Sequence, residues 1–230
     1  MSNPLALDQA ADISTRHFGE EHQPMLAIGS ALADPQLVVA IAARHRFGRH
    51  GEFYPGLRAP VSQAIAMPLV EPLLDRMRET FCLAARPRFF ECYLSVVTHP
   101  ATALAPIQRL PHFDGVEPER LAVLLYLDRE ERAGTAFYRQ RATGYESVDA
   151  ERFESYRSSL EAEIERHGLP EAGYISGDTA VFAQTHAQPG TFNSMIVYRG
   201  NTLHCADLRP DFVPESAPET GRLTLNLFLR

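Results

Sequence analysis

From about Arg88 to the C terminus the chain abandons helical spacing and breaks into short runs rich in β-branched and aromatic residues. The segment FFECYLSVVT, residues 89–98, reads as a strand, and strand-like runs follow at 103–111, 120–127, 134–140, 178–183, 193–198 and 222–229. Many short strands separated by turn signals fold as a sandwich, a barrel or a jelly roll. One stretch interrupts them: residues 149–167, DAERFESYRSSLEAEIERH, place Phe153, Tyr156 and Leu160 at helical spacing, which predicts a helical insertion on the outside of the β unit.

The first third reads differently. Residues 34–47 set Leu37, Ile41 and His45 on one stripe with Asp34 as N-cap, and residues 60–84 continue as one broken or two short helices around Pro68 and Pro72. The expected fold class is therefore α+β, one domain over residues 1–230, with a mainly helical part at 1–87 packed on a β core at 88–230. The apolar residues left over on the N-terminal helices give room for a homodimer contact.

Composition removes several function classes. The formal charge is −7, against the surplus of cations that binding a phosphate backbone needs, so no nucleic-acid partner is expected. All 22 cationic side chains are arginine, which closes lysine Schiff-base chemistry and the lysine-bearing phosphate loop. Absence of lysine also fits a GC-rich bacterial genome. Apolar runs fall short of the roughly 20 residues needed to span a bilayer, and the first residues show no secretory signal. Three cysteines without paired spacing suit free thiols in a reducing, cytoplasmic setting.

The residues with chemistry begin at LPHFDG. His112 and Asp114 stand at i and i+2, so on an extended segment both side chains share a face and reach one metal ion. With a second imidazole they make the facial triad of non-haem iron(II) oxygenases. Such pairs also arise by chance; a second, His50–Glu52, sits in a polar loop without flanking strands, whereas His112 is expected to close a strand just before the apolar run LAVLLYL. Among later histidines, His167 ends the inserted helix and His186 lies in a turn-like stretch, which leaves His204, between core-like sequence and the last strand, as the preferred third ligand. That last strand, GRLTLNLFLR, alternates strictly, with Leu223, Leu225, Leu227 and Leu229 opposite Arg222, Thr224, Asn226 and Phe228. At a sheet edge the second face would be solvated. In a polar barrel mouth, Arg222 would grip a carboxylate with Thr224 beside it.

In this order, PHFD, LLYLD, AGTAFY, IVYRGNTLHCAD and GRLTLNLF, the chain resembles the 2-oxoglutarate and iron(II)-dependent oxygenases, particularly their prolyl-hydroxylase-like branch, over roughly residues 88–230. The resemblance implies a double-stranded β-helix (jelly roll) core and an oxidoreductase of the dioxygenase, hydroxylase type. Iron(II) would be held by His112, Asp114 and His204, with 2-oxoglutarate as cosubstrate on Arg222 and Thr224, and Tyr126 and Thr135 lining its pocket. The chain departs from the family in Ala133, which replaces a glycine, and in the long stretch from His204 to Arg222, which makes Arg209 a fallback anchor. Ligation needs neutral imidazoles, so iron affinity is expected to fall toward the histidine pH range. Tyr138, Arg139 and Arg141 are candidate contacts to a small-molecule or protein side-chain substrate, and the helical insertion and the 205–221 loop are candidate lids. Two other readings share the fold: a cupin-like metalloenzyme without 2-oxoglutarate, and a non-catalytic binding or dimerisation module.

Overall fold

The computed structural model describes residues 3–208 and 212–230, and ten strands dominate it. They are β1 (Asp12–Phe18), β2 (Gln23–Gly29), β3 (Gly56–Pro60), β4 (Phe89–Val97), β5 (Leu121–Tyr126), β6 (Ala133–Gln140), β7 (Phe182–Gln188), β8 (Met195–Arg199), β9 (His204–Leu208) and β10 (Leu223–Leu229). Seven form a large sheet in the order β1-β2-β8-β5-β10-β4-β3, and three a small sheet in the order β7-β6-β9. Every neighbouring pair is antiparallel. The helices are α1 (Pro35–Ala42), α2 (Gln63–Ala66), α3 (Leu74–Thr80) and α4 (Phe153–His167).

The large sheet has two different faces, and β10 shows why. Its four leucines are fully buried on the outer face, together with Leu121, Val123 and Leu125 of β5. Val38, Val39 and Ala42 of α1 and Leu69, Leu73, Met77 and Phe81 around α3 pack onto that face and make the main core. The inner face looks toward the small sheet across a second cluster that includes Phe18, Leu124, Phe137, Ile196 and Tyr198. A strand buried on both faces reads as amphipathic when one face is lined by polar groups that have work to do.

Several expectations need correction. The N-terminal part is not mainly helical: β1, β2 and β3 belong to the large sheet. Strand β1 buries only Phe18, so its exposed residues carry no apolar alternation, and β3 is five residues bracketed by glycine and proline. Helix α1 is capped by Asp34 as expected, through a 2.9 Å bond from the Leu37 amide. It buries Val38, Val39 and Ala42 instead of the Leu37–Ile41–His45 stripe, because that neighbouring face is the one turned to the sheet. Residues 103–111 form no strand; the prolines there favour two 3₁₀ turns, Ala101–Ala103 and Pro106–Arg109. The 178–183 run starts its strand only at Phe182, after a turn in which Asp178 and Thr179 accept backbone amides. The 60–84 region is two short helices joined by 3₁₀ turns at Pro68 and Pro72, as the prolines require. Strand β10 is central rather than at an edge. All three cysteines are free thiols. Among the described residues no helix is long and apolar enough to cross a membrane.

Truncating Leu225 to alanine, in the middle of β10, is expected to cost about 2–5 kcal/mol of unfolding free energy. The same change at Leu37, which is 46% exposed, should stay within about 0.5 kcal/mol. Urea denaturation of both variants checks the pair, and equal losses would contradict the outer-face packing.

Candidate metal centre

Backbone pairing builds this site. The His112 amide donates to the His204 carbonyl at 2.8 Å and the His204 amide donates back to His112 at 2.8 Å; two residues later the Asp114 amide donates to the Gly200 carbonyl at 2.7 Å. His112 therefore does not end a strand, as its sequence context suggests. It follows a 3₁₀ turn and is held as an isolated bridge beside the first residue of β9. Residues that exchange both bonds across an antiparallel pair project to the same side, and so do residues at i and i+2 of extended chain. Three side chains thus converge. The imidazole centroids lie 4.4 Å apart, His112 Nε2 is 3.9 Å and His204 Nε2 3.7 Å from the Asp114 carboxylate, and one ligand atom from each residue lies within 4.8 Å of the others.

The surroundings prepare these groups to bind a cation. His204 Nδ1 sits 2.8 Å from the Thr202 carbonyl, which can only accept, so the proton is on Nδ1 and the Nε2 lone pair faces Asp114. One carboxylate oxygen of Asp114, Oδ2, is buried without a hydrogen-bond donor. Arg120 donates to the Asp114 main-chain carbonyl at 3.1 Å and fixes the turn, making no hydrogen bond to the carboxylate itself. Burial lowers both imidazoles to about 4, with the His204 charge adding to the effect at His112. The His112 side chain keeps 55% of its surface open, but onto a cavity ringed by protein. Both rings are thus neutral and ready to ligate well below the pH range read from their residue type alone. Burial raises the Asp114 carboxyl, a cost that a bound cation would offset. Two neutral imidazoles and one orphaned carboxylate are the donor set of a facial-triad metal site, and the residues present fit such an ion.

The cavity, of about 680 Å³, is lined by His112, Asp114 and His204 and also by Arg222 and Thr135. Arg222 is only 4% exposed. Its Nη2 donates to the Gly134 carbonyl at 3.1 Å, its Nε is buried without a partner, and among the described residues no carboxylate pairs with it. The glycine in that contact is required by space: a Cβ on residue 134 would lie 1.9 Å from the Gln188 carbonyl oxygen. Thr224 is buried and donates to Asn226 Oδ1 at 2.8 Å. The hydroxyls of Tyr126 and Thr135 share a 2.7 Å bond.

The other candidates are scattered. Tyr138 is fully buried in the cluster beneath α4, Arg139 pairs with Glu20, and Arg141 pairs with Asp178; none of the three lines the cavity. His186 stacks on Phe18, and His167 closes α4 beside Gly168. Arg209 lies outside the described residues. Helix α4 is more than an outside insertion, since Phe153, Tyr156 and Leu160 form part of the cavity wall. Sequence reasoning missed Arg58, on the unforeseen strand β3. It also left Asn226 without a role, although the β10 alternation places it on the face of Arg222.

The fold and this cluster define an α+β protein of two antiparallel sheets with a His-Asp-His group able to hold a metal ion. The chain belongs to a family of unknown function (DUF6445), whose sequence pattern matches residues 9–229. No curated protein matches it. Its structural neighbours are non-haem iron, 2-oxoglutarate-dependent oxygenases, all distant. The alpha-ketoglutarate-dependent epimerase SnoN from nogalamycin biosynthesis is 14% identical at a TM-score of 0.45, over 91% of this chain and 79% of that one. An N-substituted L-amino acid dioxygenase from Burkholderia ambifaria is 12% identical at 0.47, over 96% and 95%. HygX from Streptomyces hygroscopicus, with nickel and 2-oxoglutarate bound, is 11% identical at 0.46, over 91% and 83%.

The hydroxyl pair gives an asymmetric prediction. Thr135→Val strands the buried Tyr126 hydroxyl and should cost about 1–3 kcal/mol. Tyr126→Phe leaves only the Thr135 hydroxyl, which faces the cavity, and should cost less. Thermal denaturation of the two variants measures the difference, and the reverse order would show that the bond is not what holds Tyr126.

Proposed function

We propose that this chain is an iron(II) and 2-oxoglutarate-dependent oxygenase acting on a small molecule, folded as one domain over residues 1–230 around a double-stranded β-helix. The observation that carries the reading is the pairing, in one cavity, of a His-Asp-His cluster with a buried arginine that pairs with no carboxylate among the described residues. Successive segments support the fold assignment by the way they wind: β4 in the large sheet, residues 112–114 beside the small one, β5 large, β6 and β7 small, β8 large, β9 small and β10 large.

In this reading His112, Asp114 and His204, all lining the cavity, would hold the metal. Bound there, iron(II) with 2-oxoglutarate and oxygen supplies oxidation of a substrate C–H bond, with succinate and carbon dioxide as coproducts. The chain's own residues do the positioning. The Arg222 fork would take the far carboxylate of 2-oxoglutarate, and a buried guanidinium with no carboxylate partner among the described residues gains more from that pair than an exposed one would. Thr135, fixed by Tyr126, offers a hydroxyl along the same wall, while Thr224 and Asn226 hold the polar face of β10 in order. The Thr202 carbonyl keeps His204 in the ligating tautomer. Phe137, Tyr198 and Phe228 keep the region between the sheets apolar, so that charges there act in a medium less screened than water.

Anaerobic titration of the protein with iron(II), with and without 2-oxoglutarate, tests this. A weak visible charge-transfer band that needs both additions is expected, with His204→Ala abolishing it. Arg222→Ala should weaken 2-oxoglutarate at least about tenfold while iron still binds, as loss of a charge-assisted bidentate pair requires. Iron binding that 2-oxoglutarate leaves unchanged would replace the reading with a metalloenzyme that uses no such cosubstrate. Absence of iron binding would contradict any metalloenzyme.

A further inference from the structure

A second arginine in the cavity pairs with no carboxylate among the described residues. Arg58, on β3, is half-buried, and among the described residues no acidic side chain lies within ion-pair distance of it; its Nε is buried without a partner. Sheet register places it. Arg58 is opposite Ser95 on β4, Ser95 is opposite Thr224 on β10, and Thr224 is opposite Tyr126 on β5, so the four share one row on the inner face. One step along the same face of β10 stands Arg222. Arg58 and Arg222 therefore look into one space from neighbouring positions, and Arg58 is the nearer of the two to the edge of the sheet.

Its orientation is built. The Arg58 guanidinium carbon lies 4.0 Å from the Tyr54 ring centroid and 5.2 Å from that of Tyr93. Gly51 comes so close to its Nη1 that a Cβ there would sit at 3.2 Å. Two aromatic faces and a glycine-bearing loop hold the planar group without neutralising it, an arrangement that presents a fork to a ligand. The cavity mouth is apolar. Phe53, Ile107 and Phe153 line it, and they are three of the seven large hydrophobic side chains exposed among the described residues.

Resting on the oxygenase reading above, we infer that the substrate is a small apolar carboxylic acid, its carboxylate bound by Arg58 and its apolar body lying along Phe53, Ile107 and Phe153. Charge counting separates this from a phosphate ester. Counting only the groups that line the cavity, the metal would carry +2, Arg58 and Arg222 +1 each and Asp114 −1, a total of +3; Arg157, the other cation on the wall, is paired with Glu154 and Glu161. The dianion 2-oxoglutarate leaves +1, which one carboxylate neutralises and a doubly charged phosphate would overshoot. Uncompensated charge in an enclosed site is costly, so the balance selects the ligand. The cavity volume is that of a site for a small molecule rather than for a folded partner.

The test uses protein loaded anaerobically with nickel(II) and 2-oxoglutarate and a set of probes: straight-chain acids from butanoate to dodecanoate, 3-phenylpropanoate, and their primary amides, followed by calorimetry. At least one acid should bind, with its amide at least about tenfold weaker. Arg58→Gln should weaken that acid by about ten- to a hundredfold, Arg58→Lys by less, and neither should move 2-oxoglutarate affinity more than about threefold. Acids and amides binding alike, no probe binding, or Arg58→Gln releasing 2-oxoglutarate instead of the acid would each overturn the inference. Should nickel and 2-oxoglutarate fail to load, the oxygenase reading falls, and the same acid–amide comparison on the metal-free protein decides the anchor. A preference lost in Arg58→Gln upholds it, and no preference overturns it.

Discussion

Two reciprocal backbone hydrogen bonds between His112 and His204 are what the site depends on. The two residues lie 92 positions apart, and neither would face the other without that exchange. Once it is made, the pleat places both imidazoles on one side, and the Asp114 amide bond to Gly200 adds the carboxylate two residues on. The separation between the groups is thus a property of sheet geometry, fixed by main chain rather than by flexible side chains. A site held this way loses little conformational freedom when a ligand arrives.

Strand β10 joins stability to chemistry. Its leucines anchor the sheet to α1 and α3, and its alternate residues Arg222, Thr224, Asn226 and Phe228 line the inner face. A one-residue slip of register would exchange the two sets, burying Arg222 among the helices and turning the leucines into the cavity. Pairing on both sides, to β4 and β5, prevents that slip. A strand central to the core therefore also sets the position of Arg222 on the inner face.

Much of this was legible in the sequence, for physical reasons that differ by residue. His112 and Asp114 stood out because i and i+2 spacing survives in any extended segment, whether or not it is a regular strand, and His204 was preferred to His167 and His186 for its place between core-like sequence and the last strand. The strand 103–111 expected before them does not exist, yet the conclusion about the pair did not need it. The alternation in β10 was plain, and Arg222 could be singled out because the charge fell on the face opposite four leucines. Arg58 was invisible: its strand is five residues long, bounded by glycine and proline, and its meaning comes only from pairing with β4. Arg139 and Arg141 show the converse. They lie in an arginine-rich stretch that looks functional, but their partners Glu20 and Asp178 are far away in sequence, and no local pattern announces that those charges are already satisfied.

The central claim is that one metal ion sits where His112, Asp114 and His204 converge, with 2-oxoglutarate reaching from it to Arg222. A crystal grown anaerobically with iron(II) and 2-oxoglutarate, with anomalous diffraction recorded at the iron edge, tests it most directly. The account predicts one strong anomalous peak at bonding distance from both Nε2 atoms and an Asp114 oxygen, with density for 2-oxoglutarate running from that peak to the Arg222 guanidinium. A peak at other residues, or none in the cavity, would contradict it.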